Sequence, residues 1–208
     1  MLQLAELLYN LQGVLGLEHC LDRMFSGQIE PTMAELDFGM FLRRQGVAFS
    51  YVTQTGVKTS DYDVEIPYEG GPVACGDIKC KFEGTDYAES SILNSLKKAR
   101  GQLPSDRPGI IFVKVPQHWL DLSTGNFDID VSETLAKFFR TTKRIILVVF
   151  YAKLTLDGAL GTAIAHVVLE RENTQSRFAH GRSWRLFAEV KGPPDWIDFS
   201  PLMDGNHW

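Results

Sequence analysis

The spacing of apolar residues changes several times along this 208-residue chain. From Leu2 to Phe25 they recur at helical spacing, with weak points at Gly13 and Gly16, which predicts one or two helices. This tract carries Glu6 and Glu18 and has no basic leader, so it reads as an amphipathic helix rather than a secretion signal. After a break at "SGQIEP", Ala34, Phe38, Phe41 and Leu42 share one helical stripe, which Gly46 ends. "VAFSYVTQ" then reads as a strand and "TGVKTS" as a turn. "DYDVEI" alternates strictly, which predicts a strand with Tyr62, Val64 and Ile66 on one face and Asp61, Asp63 and Glu65 on the other. "PYEGGP" is a second turn and "VACGDIKCKF" a third strand. The short links between these strands predict an antiparallel meander.

Helices and strands alternate in the second half. Ile92, Leu96, Ala99 and Leu103 form the apolar stripe of a helix that Pro104 stops. "GIIFVKV" and "RIILVVFYA" are unbroken apolar runs, as expected of strands covered on both faces, with the helix "VSETLAKFFR" between them. "AIAHVVLERE" and "SWRLFAEV" read as further strands. The series predicts an α/β fold: a mixed central sheet, N-terminal helices over residues 1–30 and a β-rich C-terminal extension within 116–208.

Composition narrows this little. The chain is 44% hydrophobic and 23% charged, which suits a single globular domain over 1–208. Its net charge of −5 means that contact with nucleic acid would need a local basic patch. Lys97, Lys98 and Arg100, with Arg43, Arg44, Arg140, Lys143 and Arg144, are the candidates, although a solvated charged surface is the better reading for most of them. Cys20, Cys75 and Cys80 form no CxxC pair, and no apolar run is long enough to span a membrane, so a reduced, cytoplasmic protein is expected. The five histidines are scattered, and the tryptophans read as packing residues. GxxxxGK[ST], HExxH and GxSxG are all missing, which removes the common nucleotide-hydrolase, zincin and α/β-hydrolase readings.

The strand "VACGDIKCK" departs from a plain core pattern. Asp77 and Lys79 are two residues apart and share a face of an otherwise covered strand. Each buried ion costs several kcal/mol unless well paired. A divalent cation held by Asp77, an aspartate of the neighbouring strand, a backbone carbonyl and waters would change that balance. Lys79 would then hold or activate the attacking water. The competing reading is a surface ion pair that contributes little.

Asp63, thirteen intervening residues, then Asp77-Ile78-Lys79 resembles the PD-(D/E)XK nuclease superfamily. The resemblance covers about residues 32–115 and implies a restriction-endonuclease-like αβββαβ core. It implies Mg²⁺ (or Mn²⁺), metal ligation by Asp63, Asp77 and the Ile78 carbonyl, and Lys79 as the catalytic lysine. A helix glutamate is common upstream, and Glu35 holds that position, as support or ligand for a metal; a polar residue on the following helix is also common, and Gln102 fits. The implied activity is hydrolysis of DNA or, less often, RNA, by endonuclease or exonuclease action, leaving 5′-phosphate and 3′-hydroxyl ends.

The chain departs from the superfamily pattern in three ways. The proline before the first aspartate is missing, and "SDYD" offers Asp61 or Asp63 as that aspartate; Asp63 is favoured because it lies further inside the strand. Literal Pro194-Asp195 has no (D/E)xK after it and reads as a turn. Asp77 stands where glutamate is commoner. Glu35 also has a structural reading, since Thr32 to Glu35 spells a capping box. Gln102 is equally readable as an exposed helix-end amide. The flanking regions have no counterpart in the family and would shape a groove or a homodimer interface. The alternative function is a catalytically inactive nuclease-fold module that binds nucleic acid or protein.

Overall fold

The computed structural model describes residues 2–57, 59–68, 71–120, 126–158, 161–179, 184, 186 and 196–199. The fold is mixed α/β. Three helices come first, α1 (Leu2–Leu11), α2 (Leu17–Phe25) and α3 (Ile29–Arg44). The chain continues through β1 (Ser50–Tyr51), β2 (Val64–Ile66), β3 (Ala74–Cys80), α4 (Glu89–Gln102) and β4 (Gly109–Lys114). After a short 3-10 turn come α5 (Asn126–Arg140), β5 (Ile145–Gly158) and β6 (Gly161–Glu172). The six strands among the described residues form one sheet in chain order. The pairs β1/β2, β2/β3 and β5/β6 are antiparallel, whereas β3/β4 and β4/β5 are parallel. Parallel neighbours need a crossover, and α4 and α5 supply it.

Strand alternation sorts the core into two layers. Ala74 and Ile78 of β3, and Ile110 and Phe112 of β4, pack with Phe38, Phe41 and Leu42 of α3. Cys75, Ile111 and Val113 face the other way, onto Ile92, Leu96 and Ala99 of α4 and Val131, Leu135 and Phe138 of α5. Both faces of β4 are therefore covered, as its unbroken apolar run requires. Every residue of α3 from Ala34 to Leu42 is buried, as in a helix enclosed on all sides. Among the described residues no helix is long and apolar enough to cross a membrane.

Three sequence expectations need correction. Helix α3 starts at Ile29, and Thr32 Oγ1 donates to the Gln28 carbonyl at 2.6 Å. Pro31 fits in the first turn because its missing N–H would have no helical partner there. The Thr32–Glu35 capping box does not form, which frees the Glu35 carboxylate. Second, Tyr62 does not share a face with Val64 and Ile66. It packs in the α4/α5 layer and they pack in the α1–α3 layer, because the chain bends at Asp63. Third, the regular ladder of β1 is two residues long rather than spanning "VAFSYVTQ". Of the expected C-terminal strands, "AIAHVVLERE" lies in β6, while most of "SWRLFAEV" and all of Pro194-Asp195 fall outside the described residues.

Two glycines let the N-terminal helices approach the sheet. Gly16 adopts φ +85°, and a side chain there would strike the Tyr51 backbone. Beside it, the Leu15 carbonyl accepts the Tyr51 N–H at 2.8 Å. Gly39 leaves room on α3 for the buried Tyr51 ring, whose hydroxyl occupies the space a methyl would need. Gly39→Ala should therefore destabilise the protein by about 1–3 kcal/mol through overpacking, measured as a lower urea midpoint at unchanged m-value.

Candidate functional site: a buried carboxylate cluster at a split in the sheet

Strands β2 and β3 stay paired only from Val64/Gly76 to Ile66/Ala74. Beyond Gly76, β3 runs on to Cys80 with no β2 partner at that edge. Asp63 stands at the parting point. Its N–H donates to the Gly76 carbonyl at 2.9 Å, and its carbonyl accepts the Val52 N–H at 2.9 Å. Its Oδ2 accepts the Ile78 N–H at 2.6 Å, so the carboxylate does what the next strand residue would have done. Oδ1 accepts Gln54 Nε2 at 3.2 Å. Within a strand a residue's N–H and C=O turn to the same edge, so the Ile78 carbonyl faces the Asp63 side.

Asp77 and Lys79 point from β3 toward α4. Asp77 is fully buried, and Lys79 Nζ lies 2.5 Å from its Oδ2. The ammonium is therefore the partner of Oδ2, and Oδ1 has no hydrogen-bond partner. Gln102, at the end of α4, accepts from Lys79 Nζ at 2.7 Å through Oε1 and donates to the Asp61 carbonyl at 3.1 Å through Nε2. Both ends of the amide are engaged, which fixes the ammonium.

Asp61 and Asp63 have different surroundings. Asp61 Oδ1 accepts the Thr55 and Gly56 N–H groups at 2.7 and 2.9 Å and so closes the loop before β2. The Asp63 carboxylate turns inward. Glu35 approaches from α3, on the opposite layer from Asp77, and its Oε2 accepts from Arg23 of α2. The same guanidinium stands 3.8 Å from Asp63 Oδ1. The cluster thus holds Glu35, Asp63 and Asp77 against Arg23 and Lys79.

Burial raises the pKa of all three acids. Asp77 is pushed up to about 7 by burial and then by the Asp63 charge, against the pull of Lys79. Burial and Asp63 push Glu35 up to about 8, against Arg23. Asp63 is raised by burial, with Lys79, the Ile78 N–H and Arg23 opposing. Burial, reinforced by Glu35, pushes the neighbouring Cys20 thiol up to about 12, so it is no thiolate ligand at neutral pH.

Among the described residues no three His, Cys, Asp or Glu side chains already stand as a ligand set. The oxygens present nevertheless fit a hard cation: two buried carboxylates, a peptide carbonyl turned to the same edge, and an unpartnered Asp77 Oδ1. No protein-family model matches the chain, no curated protein resembles it in sequence, and no solved structure matches it.

The sequence reading missed Arg23 and Gln54. Gln54 lies nine residues before Asp63, in a connection with no local signature. Arg23 had one available signal. It follows the buried Leu17 and Cys20 at three-residue steps along α2, and a cation on a covered stripe needs an anion beyond it.

The raised pKa values set the sign of the pH response. The folded, metal-free protein keeps protons that unfolded carboxylates release near pH 4, so this stabilisation is present at low pH and is lost as pH rises through about 7 and 8. The Tm of the metal-free protein should fall by several degrees between about pH 5 and about pH 8, read by calorimetry in chelator. A Tm that rises over that interval would contradict the burial of these acids.

Proposed function

We propose that the chain is a divalent-metal-dependent nuclease of PD-(D/E)XK type that hydrolyses phosphodiester bonds in DNA. The observation that carries this reading is Asp77: a fully buried carboxylate, paired with Lys79 through Oδ2 and with Oδ1 unpartnered, on the strand whose open edge Asp63 flanks. A buried carboxylate oxygen left without a donor is costly, and a bound cation would use it. The chain order α3-β1-β2-β3-α4-β4 supports the reading, since it is the order of the superfamily core.

Asp63, Asp77 and the Ile78 carbonyl would hold Mg²⁺ or Mn²⁺. When bound, the ion supplies a Lewis acid for a phosphoryl oxygen and a more acidic water. Lys79 orients the attacking water and offers its ammonium to charge developing on the phosphate. Gln102 is a positioning residue that holds Lys79 Nζ through one end and the Asp61 carbonyl through the other. Lys81 points to the same side as Lys79 and bonds Ser91, and the exposed Lys97 and Lys98 follow on α4. These lysines form the basic track for the substrate backbone. Several other cations of the sequence are engaged elsewhere: Arg100 with Thr141, Lys143 with Gln175, and Arg44 over the Trp196 ring.

The alternative is a catalytically inactive module on the same fold. It is favoured by the net charge of −5 and by Arg23, which already neutralises part of the cluster.

The two readings separate on incubating the chain with single- and double-stranded DNA and RNA, with and without Mn²⁺. Cleavage that needs the metal, and that drops about 100-fold or more in Asp77→Asn and Lys79→Ala, is the expected result. No cleavage of any substrate, with no metal-induced rise in Tm, would leave the module.

Gln102→Ala tests the positioning role separately. It should lower the maximal cleavage rate while leaving Mn²⁺ affinity close to wild type, and the pH–rate profile should shift because Lys79 loses its fixed neighbour.

A further inference from the structure

We propose that Arg23 fills the place of a second cation, so that the site takes one divalent ion and Glu35 serves as the anchor of Arg23 rather than as a metal ligand. The inference rests on the nuclease reading above and specifies its metal stoichiometry. The cluster has two lobes that share Asp63. On the α4 side lie Asp77, Lys79 and the edge to which the Ile78 carbonyl turns, with Asp77 Oδ1 unpartnered and Oδ2 on Lys79. On the α3 side lie Glu35 and the other Asp63 oxygen, and there the Arg23 guanidinium bridges the pair, on Glu35 Oε2 through one nitrogen and 3.8 Å from Asp63 Oδ1 through another.

This placement is built into the fold. The Arg23 side chain is only 16% exposed and the Glu35 side chain 8%. Cys20, one helical turn earlier, lies 3.6 Å from both Glu35 Oε2 and the guanidinium. Helix α2 is held against the sheet where Gly16 meets the Tyr51 backbone. The planar, permanently charged guanidinium cannot be neutralised by releasing a proton, unlike an ammonium.

The charges close with one ion. With the three carboxylates ionised in the loaded site, Arg23 and Lys79 leave −1, one divalent ion makes the site +1, and one phosphodiester returns it to zero. A second divalent ion would leave +2 in a buried site, which is costly without further anions.

The test counts Mn²⁺ on the full-length chain by titration calorimetry and by electron paramagnetic resonance. Wild type should bind one ion per chain, and Asp77→Asn should lose it. Arg23→Met should bind two, and Arg23→Met with Glu35→Gln should return to one. Arg23→Gln replaces Arg23→Met if the latter lacks a cooperative melt, and the wild-type count stands regardless. Two ions on wild type, or a single ion on a folded Arg23→Met or Arg23→Gln, would overturn the proposal and leave the nuclease reading intact. No ion on wild type would overturn both.

Discussion

The hydrogen bond from the Ile78 N–H to the Asp63 carboxylate is the interaction on which the rest of the site depends. A sheet edge normally satisfies its amides with another strand or with water. Here β2 turns away after three residues, and a side-chain oxygen takes the place of the missing backbone carbonyl. The substitution satisfies the Ile78 amide in the gap where β2 has left β3. It draws an acid into that gap at fixed height, next to Asp77. It also explains why Tyr62 and Val64 pack in different layers, since the bend at Asp63 that frees the carboxylate reverses the alternation.

The gap is stabilised from both faces of the sheet. From α4, Gln102 locks Lys79. From α2 and α3, Arg23 and Glu35 reach round the edge to Asp63. A second buried acid lies elsewhere on the same face of the sheet as α3. Asp37 of α3 is fully buried and bonds Lys153 at 2.8 Å, close to Tyr151 and Lys114. Tyr151 in turn meets His166 at 3.2 Å, and burial with nearby Lys153 and Arg44 pushes that imidazole down to about 4. That network lies at the end of the β4/β5 ladder, where Lys114 pairs with Tyr151 and β5 runs on past β4. Its acid is held by a lysine of the neighbouring layer, whereas Asp77 pairs with a lysine of its own strand.

The sheet's central strands were legible because their residues report burial directly. Ile110–Val113 and Ile145–Tyr151 are apolar at every position, and both runs are buried throughout. Asp77 and Lys79 were legible as a pair because two-residue spacing fixes a shared face whatever the neighbours do. Element ends were less legible. The capping-box letters at Thr32–Glu35 were misleading because α3 continues three residues further toward the N-terminus, onto a proline-tolerant first turn. The strict alternation of "DYDVEI" was misleading for a related reason: alternation assumes a straight strand, and this one bends at Asp63.

The sequence by itself determined the α/β class, the run of helices and strands, and the placing of an acid and a lysine on one side of β3. These follow from periodicity, which is a local property of the chain. Only the tertiary structure decided that Asp61 closes a loop while Asp63 turns inward, that Glu35 is free of its helix cap, and that Arg23 from a separate helix lies between two acids. Those outcomes depend on where β2 leaves β3 and on how closely α2 packs on the sheet. Such distances arise between residues remote in the chain, and no local pattern encodes them.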